Sequence, residues 1–225
     1  MDQAKENKRK GDKSYTIMIS LPTAFLPNLP YLFLIARKKV DGICIGEQYK
    51  KQTYRNRAEL MGANGRVTFS VPVQKIGYPS PATLDVYISE HGQWRSKLWQ
   101  MLRSSYCSTP YWEHYCDAIK AQVYNPTPRL VDYNHSWLTL LCSLIGIEAP
   151  PLIPNSDGLL TEPSDFIDPT CPIFTRRYWQ VFEHKFGFQP NLSALDMLLC
   201  IGPESRLILF ADVPNASHGL SLFQG

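Results

Sequence analysis

The spacing of apolar positions along this chain changes once, near Gln93. Before that point the apolar residues come in runs of strand length. Residues 15–20 are β-branched and apolar enough for a central strand, and residues 40–45 repeat the pattern. Between them, two prolines and an aromatic mark residues 21–28 as a loop at the strand's carboxyl end. Pro30 then suits the first turn of a helix through Ala36, with Lys38 and Lys39 supplying positive charge at its far end. Strand, helix and strand within about 30 residues make a βαβ unit, with parallel pairing and a right-handed crossover. Asn64-Gly65 next predicts a hairpin joining residues 57–61 to 66–73, and alternation over 84–88 predicts another strand.

Beyond Gln93 the period becomes helical. Trp94, Leu98, Met101, Leu102 and Ser105 share one face, with Arg95, Gln100 and Arg103 away from it. Thr109 and Pro110 read as N-cap and first residue of a helix through Ile119. A third stripe, Trp137, Leu138, Leu141, Leu144 and Ile145, closes at Gly146. Residues 148–174 hold six prolines and no period, and read as a long loop. Thr175 opens a predicted helix with Tyr178, Phe182 and Phe186 in register, ending at Gly187. Ser193 and Asp196 match a capping box ahead of Leu195, Leu198 and Leu199, and Gly202-Pro203 stops that helix. The expected fold is α+β. A small mixed sheet of α/β-like character occupies residues 15–90, a helical part spans 93–210, and residues 14–225 form one domain.

With 225 residues, 44% of them hydrophobic, the chain can bury one substantial core, or one core and a small lobe. Its net charge of +3 changes meaning once located: residues 1–13 hold five basic and three acidic side chains, leaving the body nearly neutral. That opposes nucleic acid as the main partner. Residues 1–13 read as a disordered tail, dispensable for folding. Pro22, Pro27, Asn28 and Pro30 interrupt the apolar stretch that follows, so neither a secretory signal nor a transmembrane segment of ~20 residues is expected. The expected location is cytoplasmic. The six cysteines form no C-x-x-C, and Cys44, Cys142 and Cys200 lie in apolar runs as small core residues. No Cys or His pair has zinc-ligand spacing, and the acids Asp157, Glu162, Asp165 and Asp168 do not follow a calcium loop. No dinucleotide, phosphate-loop or nucleophile-elbow motif occurs, so neither metal nor cofactor is expected.

The concentrated chemistry lies in residues 47–57, eleven positions with no aliphatic side chain, emerging from the carboxyl end of the second strand. Ligands in such sheets collect beyond those ends. Arg55 and Arg57 offer guanidinium forks for carboxylate or phosphate, while Tyr49, Tyr54 and Asn56 can orient what is held. In an extended strand the two arginines would share a side; in a turn Asn56 would join them. A solvated edge fits the same residues equally well. Glu47 is the first acid past the strand and a candidate general base, or else a counter-charge for Lys50 and Lys51. His91, in a loop between predicted strand and helix, is the second acid–base candidate, with plain polar surface as the other reading. His114, His135 and His184 read as structural or exposed. Asn191 precedes the capping box and also suits a turn.

Several stretches in order resemble the WbqC-like protein family: residues 52–57, the Asn64-Gly65 hairpin ending in Ser70-Val71-Pro72-Val73, His91-Gly92-Gln93-Trp94 with Trp99, and Ser108-Thr109-Pro110-Tyr111-Trp112. Residues 178–182, Phe186-Gly187-Phe188, residues 190–193 and Gly202-Pro203-Glu204-Ser205 complete the series. The resemblance implies a role in bacterial surface polysaccharide (O-antigen-type) biosynthesis, with a glycyl, aminoacyl or other small acyl group moved to a sugar. It implies that Tyr54, Arg55, Asn56, Arg57, His91, Trp94 and Asn191 are the recurring polar and aromatic positions. Leu98 stands where members often carry a histidine, and Leu21-Pro22-Thr23-Ala24-Phe25 replaces a Gln-Pro-x-Tyr type of segment. Those departures favour the alternative, a non-catalytic accessory protein that binds a nucleotide sugar or a partner enzyme. The entry of the chain is also similar to that of nucleotidylyltransferases, but the two histidines of their loop are absent between Leu21 and Tyr31. The partner expected on either main reading is a small anionic or sugar-linked ligand.

Overall fold

The computed structural model describes residues 19–38, 40–154, 159–160 and 176–211. The predicted tail, the start of the first strand and most of residues 148–174 lie outside these. β1 (Ile19–Pro22) and β2 (Gly42–Cys44) pair in parallel, Ser20 opposite Gly42 and Pro22 opposite Cys44, joined by α1 (Leu29–Ala36) as the βαβ pattern requires. Asn28 caps α1, its Oδ1 accepting the Tyr31 N–H at 3.2 Å. All eight residues of α1 are buried, so this is a core helix. At its other end Arg37 donates to the carbonyls of Leu209, Phe210 and Ala211 at 3.4, 3.1 and 2.7 Å.

β3 (Arg57–Gly62) and β4 (Gly65–Ser70) form the expected antiparallel hairpin. Gly62 pairs with Gly65, so Ala63 and Asn64 make the turn, one residue earlier than the Asn-Gly dipeptide suggested. Residues 84–88 are not a strand. A 3₁₀ turn (Thr83–Asp85) and single bridges from Ile88 to Val73 and from Tyr87 to Arg129 take up their backbone groups.

The change of period at Gln93 is real: α2 (Trp94–Tyr106), α3 (Trp112–Val123) and α4 (Leu130–Ile145) follow, with no strand among them. α3 starts later than Pro110 and runs past Ile119. Thr109 is not its cap; Thr109 Oγ1 donates to the Tyr106 carbonyl at 2.7 Å and closes α2 instead. α4 starts well before its apolar stripe, because Tyr133 and Asn134 in its polar-looking first turns are buried. Arg95, expected away from the core face, is also buried. Its guanidinium lies 4.3 Å from the Trp94 ring centroid and 5.1 Å from that of Tyr133, and it donates to the Val123 carbonyl at 3.0 Å.

β5 (Leu152–Ile153) and β6 (Leu159–Leu160) come from the stretch read as a loop and complete a parallel sheet of order β5-β2-β1-β6. Two-residue strands leave no period to detect. The predicted helix over 175–187 reduces to α5 (Glu183–Phe186), with Thr175 outside the described residues. Upstream of it the backbone is irregular, held by Gln180, whose amide donates to the Gln189 carbonyl at 2.9 Å and accepts the Gln189 N–H at 2.8 Å. α6 (Ala194–Ile201) and α7 (Ser205–Phe210) are the last helices among the described residues. One buried cluster runs from Leu21 and Phe25 through Leu60, Leu98 and Trp137 to Leu198 and Leu209. Among the described residues, no helix is long and apolar enough to cross a membrane.

Candidate functional site

Beyond β2 the chain runs antiparallel beside residues 81–84. Leu84 N–H donates to the Ile45 carbonyl at 2.9 Å, Thr83 N–H to that of Glu47 at 2.8 Å, and Tyr49 N–H to that of Pro81 at 3.0 Å. This turns the Glu47 side chain inward. Its Oε1 accepts from Arg55 Nε at 3.0 Å and from Thr83 Oγ1 at 3.1 Å, while Oε2 is buried and accepts no hydrogen bond among the described residues. Arg55 is 1% and Glu47 9% exposed at the side chain, so the arginine is closed off and the acid keeps a narrow exposed edge. The Arg55 carbonyl accepts from Asn134 Nδ2 of α4 at 2.7 Å, which anchors the stretch to the helical part. The resulting group sits past the carboxyl ends of β1 and β2, the position where open parallel sheets collect ligands.

Tyr49 is buried beside this pair. Burial raises its hydroxyl above the usual range, against the lowering pull of Arg55 and Arg57, so both guanidiniums act on one phenol. Neither arrangement considered for Arg55 and Arg57 holds in full: Arg55 lies in a turn, and Arg57 opens β3. Arg55 is engaged with Glu47. Arg57 is half-buried, makes no ion pair among the described residues, and has a buried Nε without a hydrogen bond. Asn56 closes the base of the hairpin, Nδ2 donating to the Val71 carbonyl at 3.0 Å and its own carbonyl accepting the Val71 N–H at 2.8 Å. At the end of β2, burial pushes the Cys44 thiol up and the nearby Glu47 charge adds to that rise, keeping it protonated.

Strand register extends this polar surface. Arg57 and Glu59 alternate with the core residues Ala58 and Leu60, with Met61 beyond them buried in the core, and Glu59 stands opposite Thr68, whose Oγ1 donates to Glu59 Oε1 at 2.7 Å. The Tyr54 hydroxyl lies among the Asn28 amide, the Glu59 carboxylate and the Arg66 guanidinium; burial raises it, with Glu59 adding and Asn28 and Arg66 opposing. The segment carrying Asn191 packs on the same face: Ser193 N–H donates to the Glu59 carbonyl at 2.7 Å, and Arg66 Nη2 to the Pro190 carbonyl at 2.5 Å. Asn191 adopts φ 61°, and its Oδ1 is buried without a hydrogen bond.

The remaining candidates lie elsewhere. His91 is exposed in an open recess with Val73, Gln74, Lys75, Ser89 and Glu90, a different set of residues from those around Glu47. Trp94 is 4% exposed and packs edge-on to Tyr133 with ring centroids 5.6 Å apart. The fold thus gathers Glu47, Tyr49, Arg55 and Arg57 and sets Tyr54 and Asn191 on the adjoining hairpin face, while His91 lines another recess and Trp94 is buried against Tyr133. Thr83, Asn134, Asn28 and Glu59 escaped the sequence reading. Of these only Asn28 carried a local signal, as an N-cap residue ahead of a proline in the first turn. No group of three or more His, Cys, Asp or Glu able to hold a metal occurs among the described residues.

A further acid is fully buried. Asp196 accepts from the Tyr178 hydroxyl at 2.7 Å, and burial pushes its carboxyl up to about 6, with Tyr178 and Tyr106 pulling the other way. The capping box is therefore half made. Ser193 Oγ accepts the Leu195 N–H at 3.2 Å, but Asp196 turns into the core, and the Ser193 N–H goes to Glu59.

Parallel strands, a buried acid–arginine pair at their carboxyl ends and an adjoining hairpin define an α+β protein with a polar group where such sheets take ligands. The chain belongs to the WbqC-like protein family, whose model matches residues 23–164, more than half of its length. No curated protein and no solved structure matches it.

Proposed function

We propose that this protein is a transferase of bacterial surface polysaccharide assembly that moves a small acyl or aminoacyl group onto a sugar, binding its substrate beyond the carboxyl ends of β1 and β2. The observation that carries this reading is the state of Glu47. One carboxylate oxygen is fixed by Arg55 and Thr83 and the other makes no hydrogen bond among the described residues, while Arg57, which acts on the same Tyr49 hydroxyl as Arg55, has no ion pair among them. A positioned carboxylate with a free oxygen suits a general base. The acceptor's hydroxyl or amine proton passes to the Glu47 carboxylate as the acceptor's lone pair bonds to the acyl carbon, and the bond from that carbon to the donor's carrier breaks. Arg57, with Tyr49, holds a phosphate or carboxylate of the donor. Family membership supports the biological setting.

A second reading is a binding protein without turnover, favoured by Leu98 and by His91 lining a recess that does not include Glu47. One experiment separates the two. Thermal-shift screening with nucleotide sugars, acyl carriers and amino acids identifies the ligand, and Glu47→Gln is then assayed for both binding and product. Turnover in the wild type, lost in Glu47→Gln with binding kept, is the expected result. Binding without product in the wild type establishes the second reading.

A further inference from the structure

A cavity of about 610 Å³ lies at the opposite end of β2 from Glu47. Asp41, in its lining, precedes that strand, whereas Glu47 follows it. The walls come from the end of α1, from residues 147–151 that lead from α4 to β5, and from α7. Two arginines tie these elements together. Arg37 donates to carbonyls at the end of α7, and Arg206 of α7 donates to the carbonyl of Gly146, which closes α4. The Arg206 guanidinium also lies 5.0 Å from the Phe210 ring centroid, so stacking sets one wall. The volume falls in the ~300–1,000 Å³ range of small-molecule sites. None of the groups placed in the transfer step lines it.

Ile35, Val40, Ile147 and Phe210 supply apolar surface to the lining. Four exposed charged residues share it, Lys38 and Arg206 against Asp41 and Glu148. Neither the Lys38 ammonium nor the Glu148 carboxylate has a hydrogen bond or ion pair among the described residues. Lys38 is the more telling of the two. It holds φ 52° one position past the α1 cap, and its N–H donates to the Ile35 carbonyl at 2.9 Å. Glycine is favoured at that left-handed place after a helix, because a side chain there strains the backbone. A lysine in it, with no partner for its ammonium, breaks a local rule without structural return, as residues with a binding role do.

The lining limits the ligand. A plain anion would meet the two acids, a plain cation the two bases, and a wholly apolar molecule would strip water from all four charges. A zwitterion with an apolar body suits cation, acid and wall together. We infer that this cavity is a second ligand site, for a free α-amino acid with a bulky apolar side chain. Its carboxylate lies at Lys38, its ammonium at Glu148 and its side chain against the apolar walls. Glu47 and Arg57 take no part, so the site stands or falls apart from the proposed transfer.

Titration followed by NMR on the full chain compares L-leucine and L-phenylalanine with glycine, L-leucinamide and N-acetyl-L-leucine at millimolar concentration. Glycine lacks the apolar body, leucinamide the carboxylate and N-acetylleucine the ammonium. The wild type should bind leucine and phenylalanine more tightly than the other three. Lys38→Gly removes the ammonium and suits the left-handed backbone, so the melting temperature should stay near that of the wild type. It should weaken leucine about ten-fold, as for a lost charged hydrogen bond, and leave leucinamide unchanged, whereas Lys38→Arg should keep leucine binding. Glu148→Gln should weaken leucine by a similar factor and leave N-acetylleucine unchanged. Glu47→Gln, at the other end of β2, should alter none of these affinities. Leucine and phenylalanine that fail to bind the wild type, or bind no better than glycine, overturn the site. So does leucine binding that ignores both Lys38→Gly and Glu148→Gln, or that is lost in Glu47→Gln instead.

Discussion

Arg55 and Arg57 are two positions apart and set to different tasks. Arg55 is packed against Glu47, so Arg55→Ala leaves that carboxylate without its counter-charge and should cost roughly 3–5 kcal/mol of stability. Arg57 has no such partner among the described residues. Arg57→Lys should leave the melting curve near that of the wild type and cost about 1.5–3 kcal/mol of ligand binding, because an ammonium cannot reproduce a guanidinium fork. The reverse pattern, a collapsed melt for Arg57→Lys with Arg55→Ala unaffected, would show the tasks misassigned. Asp196 makes a prediction in pH. Its folded value of about 6 stands above the ordinary 3.8, so the folded state favours the proton. The associated stability is fully present below the unfolded value and is lost as pH rises through about 6. Asp196→Asn escapes that loss. Urea unfolding at about pH 3.5 and 7.5 should show the variant gaining on the wild type by on the order of 3 kcal/mol at the higher pH. A difference constant with pH means the carboxyl titrates normally. The polar stretch itself was legible as a site candidate from side-chain chemistry. Its partners were not, because Thr83, Asn134 and Asn28 reach it from three other segments, and contact across such separations leaves no local pattern.

At the scale of elements, the junction of α6 and α7 turns on one glycine. Gly202 adopts φ 55° and ψ −130°, and a Cβ there would stand 2.3 Å from the Tyr111 ring. Backbone conformation and ring contact both exclude a side chain, so Gly202→Ala should destabilise by roughly 2–4 kcal/mol. Gly77→Ala, with open space around its position, should cost far less in the same denaturation assay. Elements governed by local rules were readable from sequence. α1 has its cap and proline, α2 its stripe, the hairpin its turn residues, and α4 its terminal Gly146 in the left-handed region. Elements governed by tertiary contact were not. The start of α4 is polar in composition yet buried by neighbours, and β5 and β6 owe their existence to the parallel strands they join. The helix predicted before Gly187 failed for the converse reason: Tyr178 satisfies its hydroxyl on Asp196 and Gln180 bonds the Gln189 backbone, holding the segment irregular.

At the scale of the molecule, the change of period at Gln93 separates two kinds of structure without separating two cores. The Tyr106 hydroxyl of α2 accepts the Met61 N–H of β3 at 3.0 Å, and Asn134 of α4 holds the Arg55 carbonyl. Leu60 of the hairpin and Trp137 of α4 are both fully buried in the same cluster. A boundary crossed by buried hydrogen bonds and shared packing cannot open on one side alone without exposing the other. The sheet-bearing and helical parts should therefore unfold together. Leu60→Ala removes core atoms from the hairpin and should cost about 2–5 kcal/mol. The five tryptophans all lie at or beyond Trp94, so intrinsic fluorescence reports the helical part while the substitution sits in the sheet-bearing part. The urea midpoint should fall by the same amount whether read by tryptophan fluorescence or by far-ultraviolet circular dichroism, as a two-state transition requires. A fluorescence midpoint that stays at the wild-type value while the dichroism splits into two steps would mean that the helical part folds independently, and that residues 14–225 hold two domains.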